Sequence, residues 1–112
     1  MAITHAGSGT VVATGAGSSP DEMLRLEPET LIRDEHIEVC RLVLAPGTEM
    51  QEHRAAGSLT LQCLHGALSL TLGDKALRLL PGDLVHLRNG EPHSVSAHER
   101  SVLLLTLVLN RR

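Results

Sequence analysis

Two histidines of this 112-residue chain, His53 near its midpoint and His93 in its second half, follow turn-forming Pro-Gly dipeptides and are its best candidates for chemistry. One segment runs from Gly47 to His53, and the other runs from Gly82 to His93. An imidazole can bind a metal ion, form a hydrogen bond or transfer a proton near neutral pH. The pair therefore predicts either a metal centre or a polar contact for a ligand, if the fold brings the two rings together.

Two other side chains are candidates to join these histidines. Gln51 lies on the same face as His53 if that strand is regular, and Cys63 lies on the same face as Leu59. A cysteine thiolate is a soft metal ligand, but a cysteine in an apolar strand also packs as a small hydrophobe. Gln51 is equally explained as a loop or edge residue, and the histidines as structural groups that hydrogen-bond at a cavity rim.

The elements that must position these residues are short strands. From residue 36 onward apolar residues alternate with others at period 2, most regularly in Ala67–Leu72, where Leu68, Leu70 and Leu72 share one face. Turn dipeptides separate the strands, for instance Pro81-Gly82 and Asn89-Gly90. No long helical period is present, so the pattern predicts an all-β sandwich or barrel.

The first histidine segment carries half of a known motif. Laid on the cupin pattern G-x5-H-x-H-x3-E-x6-G, the chain keeps Gly47, His53 and Gly66. Ala55 stands where the pattern has a second histidine, and Leu59 stands where it has glutamate.

The second segment resembles the second cupin pattern, G-x5-P-x-G-x2-H-x3-N. Gly82, Gly90 and His93 match it, whereas Arg88 replaces proline and Ala97 replaces asparagine. With both motifs in order over about residues 36–109, the chain resembles a small single-domain cupin of the RmlC-like superfamily, with a degenerate metal-binding motif. The resemblance implies a double-stranded β-helix, or jelly-roll, barrel.

The resemblance also implies a site. In cupins the motif histidines and glutamate converge inside the barrel and bind one divalent metal ion, which would place His53 and His93 in the barrel mouth. Two imidazoles hold zinc, iron, manganese or nickel only weakly, because such ions usually take at least three protein ligands. Ala55 and Leu59 make the same wall apolar. We expect a metal that is weakly bound or absent, with Gln51 or Cys63 as candidate substitute ligands.

Composition excludes several function classes. The chain contains no Phe, Tyr or Trp, and its ten Lys and Arg residues are scattered within a net charge of -3. Nucleic-acid binding is therefore not expected, because it needs a clustered basic surface and, for single strands, rings for base stacking. A ligand must be held by aliphatic walls and polar groups, so a small non-aromatic molecule is expected.

The organisation of the chain suggests one modest domain. Residues 1–20 are rich in Gly, Ser and Ala and predict a flexible N-terminal arm or an edge strand, followed by the barrel over residues 21–112. Neither a secretory signal nor a membrane-spanning segment is indicated, and the two cysteines suggest no disulfide framework, so a cytoplasmic location is expected. A homodimer is expected from the resemblance and from strand edges that a second copy would cover.

Two functions from different classes follow. The first is a small-molecule-binding barrel whose cavity contains His53, His93, Ala55 and Leu59. The second is a metal-dependent enzyme of oxygenase or isomerase type, in which His53, His93 and a substitute ligand hold the ion. The sequence identifies no catalytic residue for either, so whether the chain is an enzyme stays open.

Overall fold

The computed structural model describes residues 6–53 and 57–109, the side chains of Glu52 and His53 excepted. These residues form one short helix and nine strands. In chain order they are α1 (Pro20–Arg25), β1 (Glu29–Arg33), β2 (Ile37–Leu44), β3 (Glu49–His53), β4 (Leu59–His65), β5 (Leu68–Leu72), β6 (Lys75–Leu79), β7 (Leu84–Leu87), β8 (His93–Ala97) and β9 (Ser101–Val108).

The strands form two antiparallel sheets. One has the order β1-β2-β9-β4-β7 and the other has the order β3-β8-β5-β6. From β6 onward every connection crosses from one sheet to the other, which is the connectivity of a jelly roll rather than of a simple meander. The predicted all-β jelly-roll architecture is confirmed.

The core lies between the sheets and is built from the alternating leucines. Leu68 and Leu70 of β5 are fully buried, as the period-2 pattern predicts, and Leu72 is partly buried against the same core. On the facing sheet, Leu61 of β4 pairs across the strands with Leu105 of β9. Such cross-strand pairs place their side chains on the same face, so β4 and β9 together present one leucine wall to the interior.

The Pro-Gly turns end the strands that lead into the two motif segments. Gly47 and Gly82 both adopt positive φ, +80° and +93°, which a type II turn requires at its third position. At the second turn the Asp83 amide donates to the Leu80 carbonyl at 2.9 Å. Glycine fits these positions because it has no Cβ to clash in the left-handed region.

Gly66 has a different role, because another strand lies directly against its Cα. A side chain at this position would lie only 2.6 Å from the Arg100 carbonyl oxygen and would also overlap Ser101. Ser101 is fully buried, and its hydroxyl accepts from the Ala67 amide at 3.2 Å. The absence of a side chain at Gly66 therefore allows the β4–β5 connection to pack against the start of β9.

Helix α1 packs its one buried residue, Met23, against the barrel. Its first turn is a capping box in which the Ser19 hydroxyl accepts from the Glu22 amide and the Glu22 carboxylate accepts from the Ser19 amide. At its other end the Arg100 guanidinium donates to the carbonyls of Met23 and Leu26. No helix in the described residues is long and apolar enough to cross a membrane.

A second arginine ties the preceding segment to β2. The buried Arg41 side chain donates to the Thr14 carbonyl at 3.1 Å, to the Glu27 carbonyl at 2.9 Å and to the Glu29 carboxylate at 3.0 Å. The described residues 6–19 form no strand of their own. The division into an arm over residues 1–20 and a barrel over 21–112 stays a prediction.

Candidate functional site

The interior of the barrel contains a cavity of about 220 Å³. Its described lining consists of nine aliphatic side chains and one imidazole, that of His93. The five-stranded sheet contributes leucines from β2, β4, β7 and β9, and the four-stranded sheet contributes Met50 and Val95 together with His93. The cavity is therefore an apolar chamber with one polar side chain among the described residues of its wall.

A larger space of about 700 Å³ lies on the outer surface, beside residues 6–18 and Arg41. It is a shallow groove rather than a chamber, and the donors of Arg41 that face it are already bonded to Thr14, Glu27 and Glu29. Enclosed sites with apolar walls and a few polar groups are typical of small-molecule binding, so we place the candidate site in the smaller cavity.

His93 is held at the start of β8 with only 5% of its surface exposed. The alternation of the strand turns His93, Val95 and Ala97 inward. The His93 Nδ1 atom lies 3.1 Å from the carbonyl oxygen of Glu91. A carbonyl only accepts, so Nδ1 carries the proton in this hydrogen bond, and in the neutral ring Nε2 is the nitrogen with an acceptor lone pair. The ring is thus oriented by the backbone of the turn before β8.

The backbone of β3 places His53 opposite His93. Met50 pairs with Val95, but three residues later on β3 the partner is only two residues earlier on β8, so β3 contains one extra residue. This register shift is a β-bulge, which changes the face to which the following residue belongs. The two predicted histidines are therefore cross-strand partners along the backbone.

The prediction that Gln51 shares a face with His53 assumed a regular strand. Gln51 lies within the irregular stretch of β3 between Met50 and His53, so that assumption does not hold. It is exposed and lines a groove on the outer surface with Thr71 and Ser94. The structure brings His93 and Leu59 together at the cavity, but not Gln51. Ala55 lies outside the described residues.

Cys63 is fully buried in the core, and it is absent from the cavity lining. Its Sγ donates to the carbonyl of His65 at 3.5 Å. Burial raises the pKa of the Cys63 thiol above its ordinary value of 9.0, which disfavours the thiolate that a metal ion requires. Cys40 is half-buried on β2, and burial raises the pKa of its thiol as well.

The donors at this cavity do not fit a tightly bound metal ion. No group of three or more His, Cys, Asp or Glu side chains is found in the described part of the chain. Adding His53, which the register places opposite His93, gives two imidazoles, and Ala55 and Leu59 have no coordinating atom. Zinc and related ions usually take three protein ligands or more, so two imidazoles alone do not make a metal centre.

Sequence reasoning missed most of the cavity wall. Leu61, Leu87 and Leu105 line the chamber, as does Met50, but among the described aliphatic lining residues the motif positions predict only Leu59. The alternation that predicts the strands also predicts that these side chains point inward. It does not show which inward positions surround an empty space and which are filled by neighbours.

Comparison with known proteins agrees with this architecture. A family model described as "Cupin domain" matches residues 40–109. A protein of unknown function from Streptococcus pyogenes is 20% identical, with a TM-score of 0.73 over 96% of this chain and 93% of that one. A cupin superfamily protein from Desulfitobacterium hafniense is 18% identical, with a TM-score of 0.72 over 75% of this chain and 77% of that one. Identities this low show the fold alone.

A third similar structure is an enzyme. Salicylate 1,2-dioxygenase from Pseudaminobacter salicylatoxidans is 22% identical over 64% of this chain, with a TM-score of 0.62, and the match covers 21% of that chain. No curated protein matches the chain at a significant level. The family model covers well over half of the chain, the two sheets have the jelly-roll connectivity, and His53 and His93 occupy motif positions. The chain therefore belongs to the cupin domain family.

Proposed function

We propose that this cupin barrel binds a small, non-aromatic molecule in its interior cavity, near His53 and His93. The observation that supports this most is the composition of the wall, in which His93 is the one polar side chain described among nine aliphatic ones. Apolar surface removed from water stabilises a complex by about 25 cal/mol per Å². A ligand with a hydrocarbon body and one polar group matches that wall.

The size of the cavity limits the ligand further. Sites for drug-sized ligands measure about 300–1,000 Å³, and a dry leucine-lined cavity of about 150 Å³ can hold benzene. A chamber of about 220 Å³ therefore suits a molecule of fewer than about ten non-hydrogen atoms. Because the chain has no aromatic side chain, a flat ring gains no stacking here, and aliphatic ligands are favoured.

The strand register of β3 is the reason that His53 is included in this proposal. Directly paired residues of antiparallel strands lie side by side along the backbone, so the pairing of His53 with His93 supports a site to which both motif positions belong. Without the extra residue in β3, Glu52 would pair with His93 instead. The bulge is thus what brings the two motif histidines into register.

The test is a binding screen by ligand-observed NMR with small aliphatic alcohols, amides and acids, and with aromatic compounds of equal size. We expect aliphatic members of about six to nine non-hydrogen atoms to bind with dissociation constants of about 1 mM or tighter. Val95→Leu, which adds one methylene to the cavity wall, should weaken the largest ligands most. The same change at the exposed Val11 is the matched control, and it should leave binding unchanged.

A metal measurement distinguishes this proposal from a metal-dependent oxygenase or isomerase. Protein purified without chelator is loaded with zinc, iron, manganese or nickel and desalted, and metal per chain is measured. We expect less than one ion per ten chains and aliphatic binding that persists in chelator, because two imidazoles hold such ions weakly. Stoichiometric metal that is lost in both His53→Ala and His93→Ala would instead establish the enzyme-type site.

A further inference from the structure

We propose that two copies of this chain associate face to face, through the outer surface of the five-stranded sheet. This surface lies outside the barrel, so the proposal does not depend on ligand binding in the cavity. Three observations carry it: the side chains that point outward from β2, β9, β4 and β7, their contrast with the other sheet, and the part of the surface that the chain leaves uncovered.

The strand register identifies the outward side chains. Leu61, Leu103 and Leu105 line the cavity, so the residues that alternate with them along β4 and β9 point to the outside. The register aligns these residues with outward residues of β2 and β7 in three rows: Ile37 and Val108; Val39, Thr106, Thr60 and His86; and Leu104, Gln62 and Leu84. These nine residues are the open face.

The composition of the open face is that of a buried surface. Five of its nine side chains are aliphatic, and it contains no Lys, Arg, Asp or Glu, although 21% of the chain is charged. In β9 the residues from Val102 to Leu105 are all aliphatic, so both sides of this strand are apolar. A strand that is covered on both sides has such a continuous apolar run, whereas a strand with one side in water alternates.

The outer surface of the four-stranded sheet has the composition of a solvated one. Ser69 pairs with Ser96 and Thr71 pairs with Ser94, which places four hydroxyl groups at its centre. Arg78 borders them on β6. No aliphatic side chain larger than alanine points outward from β5, β6 or β8. The two outer surfaces belong to one molecule, so their contrast indicates that only the open face is covered in the assembled protein.

The chain itself covers only the neighbouring part of this surface. Val102, on the outer side of β9, is fully buried, and Arg41 on β2 is bonded to the Thr14 carbonyl. Leu84 and Val108 on the open face are instead 61% and 45% exposed. The described residues that precede β1 therefore leave an apolar patch uncovered, and exposed patches of this kind are typical of protein–protein contacts.

A second copy is the partner that fits the open face. Two such faces related by a two-fold axis meet without bringing two carboxylates or two guanidinium groups together. The hydroxyls of Thr60 and Thr106 both donate and accept, so each can pair with a hydroxyl of the other copy. A partner with a charged surface would instead bury its charges against groups that cannot neutralise them.

The area of the open face is sufficient for a dimer. Three rows about 6.6 Å apart on four strands about 4.8 Å apart give a face about 20 Å wide in each direction. With the relief of its side chains, it presents on the order of 600 Å² of accessible surface per copy, or about 1,200 Å² for the pair, which is the lower end of the range for stable interfaces. We therefore expect a dissociation constant of about 1 µM.

The experiment is sedimentation equilibrium from about 0.1 to about 100 µM chain. The mass of the natural chain should rise from 12.0 kDa toward twice that value. Thr106→Lys places a charge at the centre of the open face and should weaken association about a hundredfold or more. Thr71→Lys is the matched control, because it makes the same change at an outward position in the middle of the other sheet, and it should associate as the natural chain does.

A mixing experiment distinguishes opposed faces from other contacts. Thr106→Glu alone should also remain near 12.0 kDa, because two carboxylates would meet. Mixing it with Thr106→Lys should restore the dimer, since position 106 lies in the middle row of the open face and opposite charges would then face each other. Circular dichroism verifies that each variant is folded.

The natural chain provides a measurement that does not depend on any variant. In the dimer the methyl groups of Leu84 and Val108 should be protected from a water-soluble gadolinium chelate, and dilution should remove this protection. The methyl group of Ala76, exposed on the outer side of β6, should be broadened by the chelate at every concentration. Leu84 methyl groups in a dimer that broaden as fast as that of Ala76 would overturn the inference.

Two further results would overturn it. If folded Thr106→Lys associates as tightly as the natural chain, the second copy binds elsewhere, for instance along the edge of β7, which lies two strands away from β9. If the natural chain stays at 12.0 kDa at every concentration, a second copy is not the occupant of the open face.

Discussion

At the scale of single residues, His93 shows how much of a site a motif can predict. Its position follows from the G-x2-H spacing after Gly90, and the alternation of β8 turns it inward with 5% of its surface exposed. The protonated nitrogen could not be predicted, because it depends on the Glu91 carbonyl, which the turn before β8 places 3.1 Å from Nδ1. A backbone atom has no sequence signature of its own.

Gly66 allows a prediction with an internal control. Gly66 and Gly82 have the same φ of +93°, but of the two only Gly66 has atoms within 4 Å of the place that a methyl group would occupy. Gly82→Ala should cost about 1–2 kcal/mol of unfolding free energy from the left-handed backbone alone. Gly66→Ala should cost about 3 kcal/mol or more, because a methyl group would also overlap Arg100 and Ser101. Urea unfolding measures both, and equal losses would contradict the close approach.

The two cysteines differ in their accessibility to thiol reagents. Cys63 is fully buried with a raised thiol pKa, so its reaction with a thiol reagent at pH 7.5 should be at least about a hundredfold slower than in urea. Cys40 is half-buried and should react at an intermediate rate. The single variants Cys40→Ala and Cys63→Ala assign each rate. Rapid modification of Cys63 in the folded chain would contradict its place in the core.

At the scale of elements, the strands were predictable and the irregularities were not. Period-2 alternation identifies β4 and β5, because Leu59 and Leu61 of β4 and Leu68 and Leu70 of β5 are buried while the residues between them are not. The extra residue of β3 leaves no such trace, since Gln51 and Glu52 are both polar. For that reason the face of Gln51 could not be assigned from the regular pattern.

The β1–β2 turn predicts a pH dependence. The Asp34 carboxylate accepts from the amides of His36 and Ile37, and these bonds lower the pKa of Asp34 below 3.8. A lowered folded-state pKa adds stability above the unfolded value and loses it as pH falls through the folded value. The stability difference between the natural chain and Asp34→Asn should therefore be constant from about pH 5 to 7 and shrink below about pH 4. If the stability difference between the two chains stays constant below pH 4, the hydrogen bonds to the ionised Asp34 carboxylate contribute nothing to stability.

Helix α1 is predicted to depend on a distant arginine. Arg100 donates to the carbonyls of Met23 and Leu26 at the C-terminal end of the helix, where the Leu26 amide is the only backbone donor to the Met23 carbonyl among the described residues, at 3.3 Å. Removing these charged donors in Arg100→Ala should raise the local opening of α1 about tenfold or more. Trypsin cleavage after the exposed Arg25, followed by mass spectrometry, measures this opening.

Arg33→Ala is the matched control for this experiment. Its ion pair with Glu38 is 3.7 Å long and half-exposed on the arginine side, so its removal should change the cleavage rate little. If Arg100→Ala is cleaved after Arg25 as slowly as the natural chain, α1 does not depend on this contact.

At the scale of the whole molecule, the homodimer expected from the resemblance stays a prediction. Leu84 on the edge strand β7 and Val108 at the end of β9 are exposed, at 61% and 45%, and a second copy could cover them. Light scattering at micromolar concentration should then give about twice the 12.0 kDa of one chain. Leu84→Lys should return the mass toward one chain, and a mass near 12.0 kDa for the natural protein would contradict the dimer.

The function of the whole molecule depends on whether the cavity between the sheets is a binding site. The most direct measurement is a set of nuclear Overhauser contacts between hexanoate or 1-hexanol and the leucine methyl groups, recorded in the presence of chelator. We predict contacts from the probe's terminal methyl group to Leu61 and Leu105, on the leucine wall of the cavity. Contacts confined to the outer groove beside residues 6–18, or no contacts at saturating probe, would contradict the central claim.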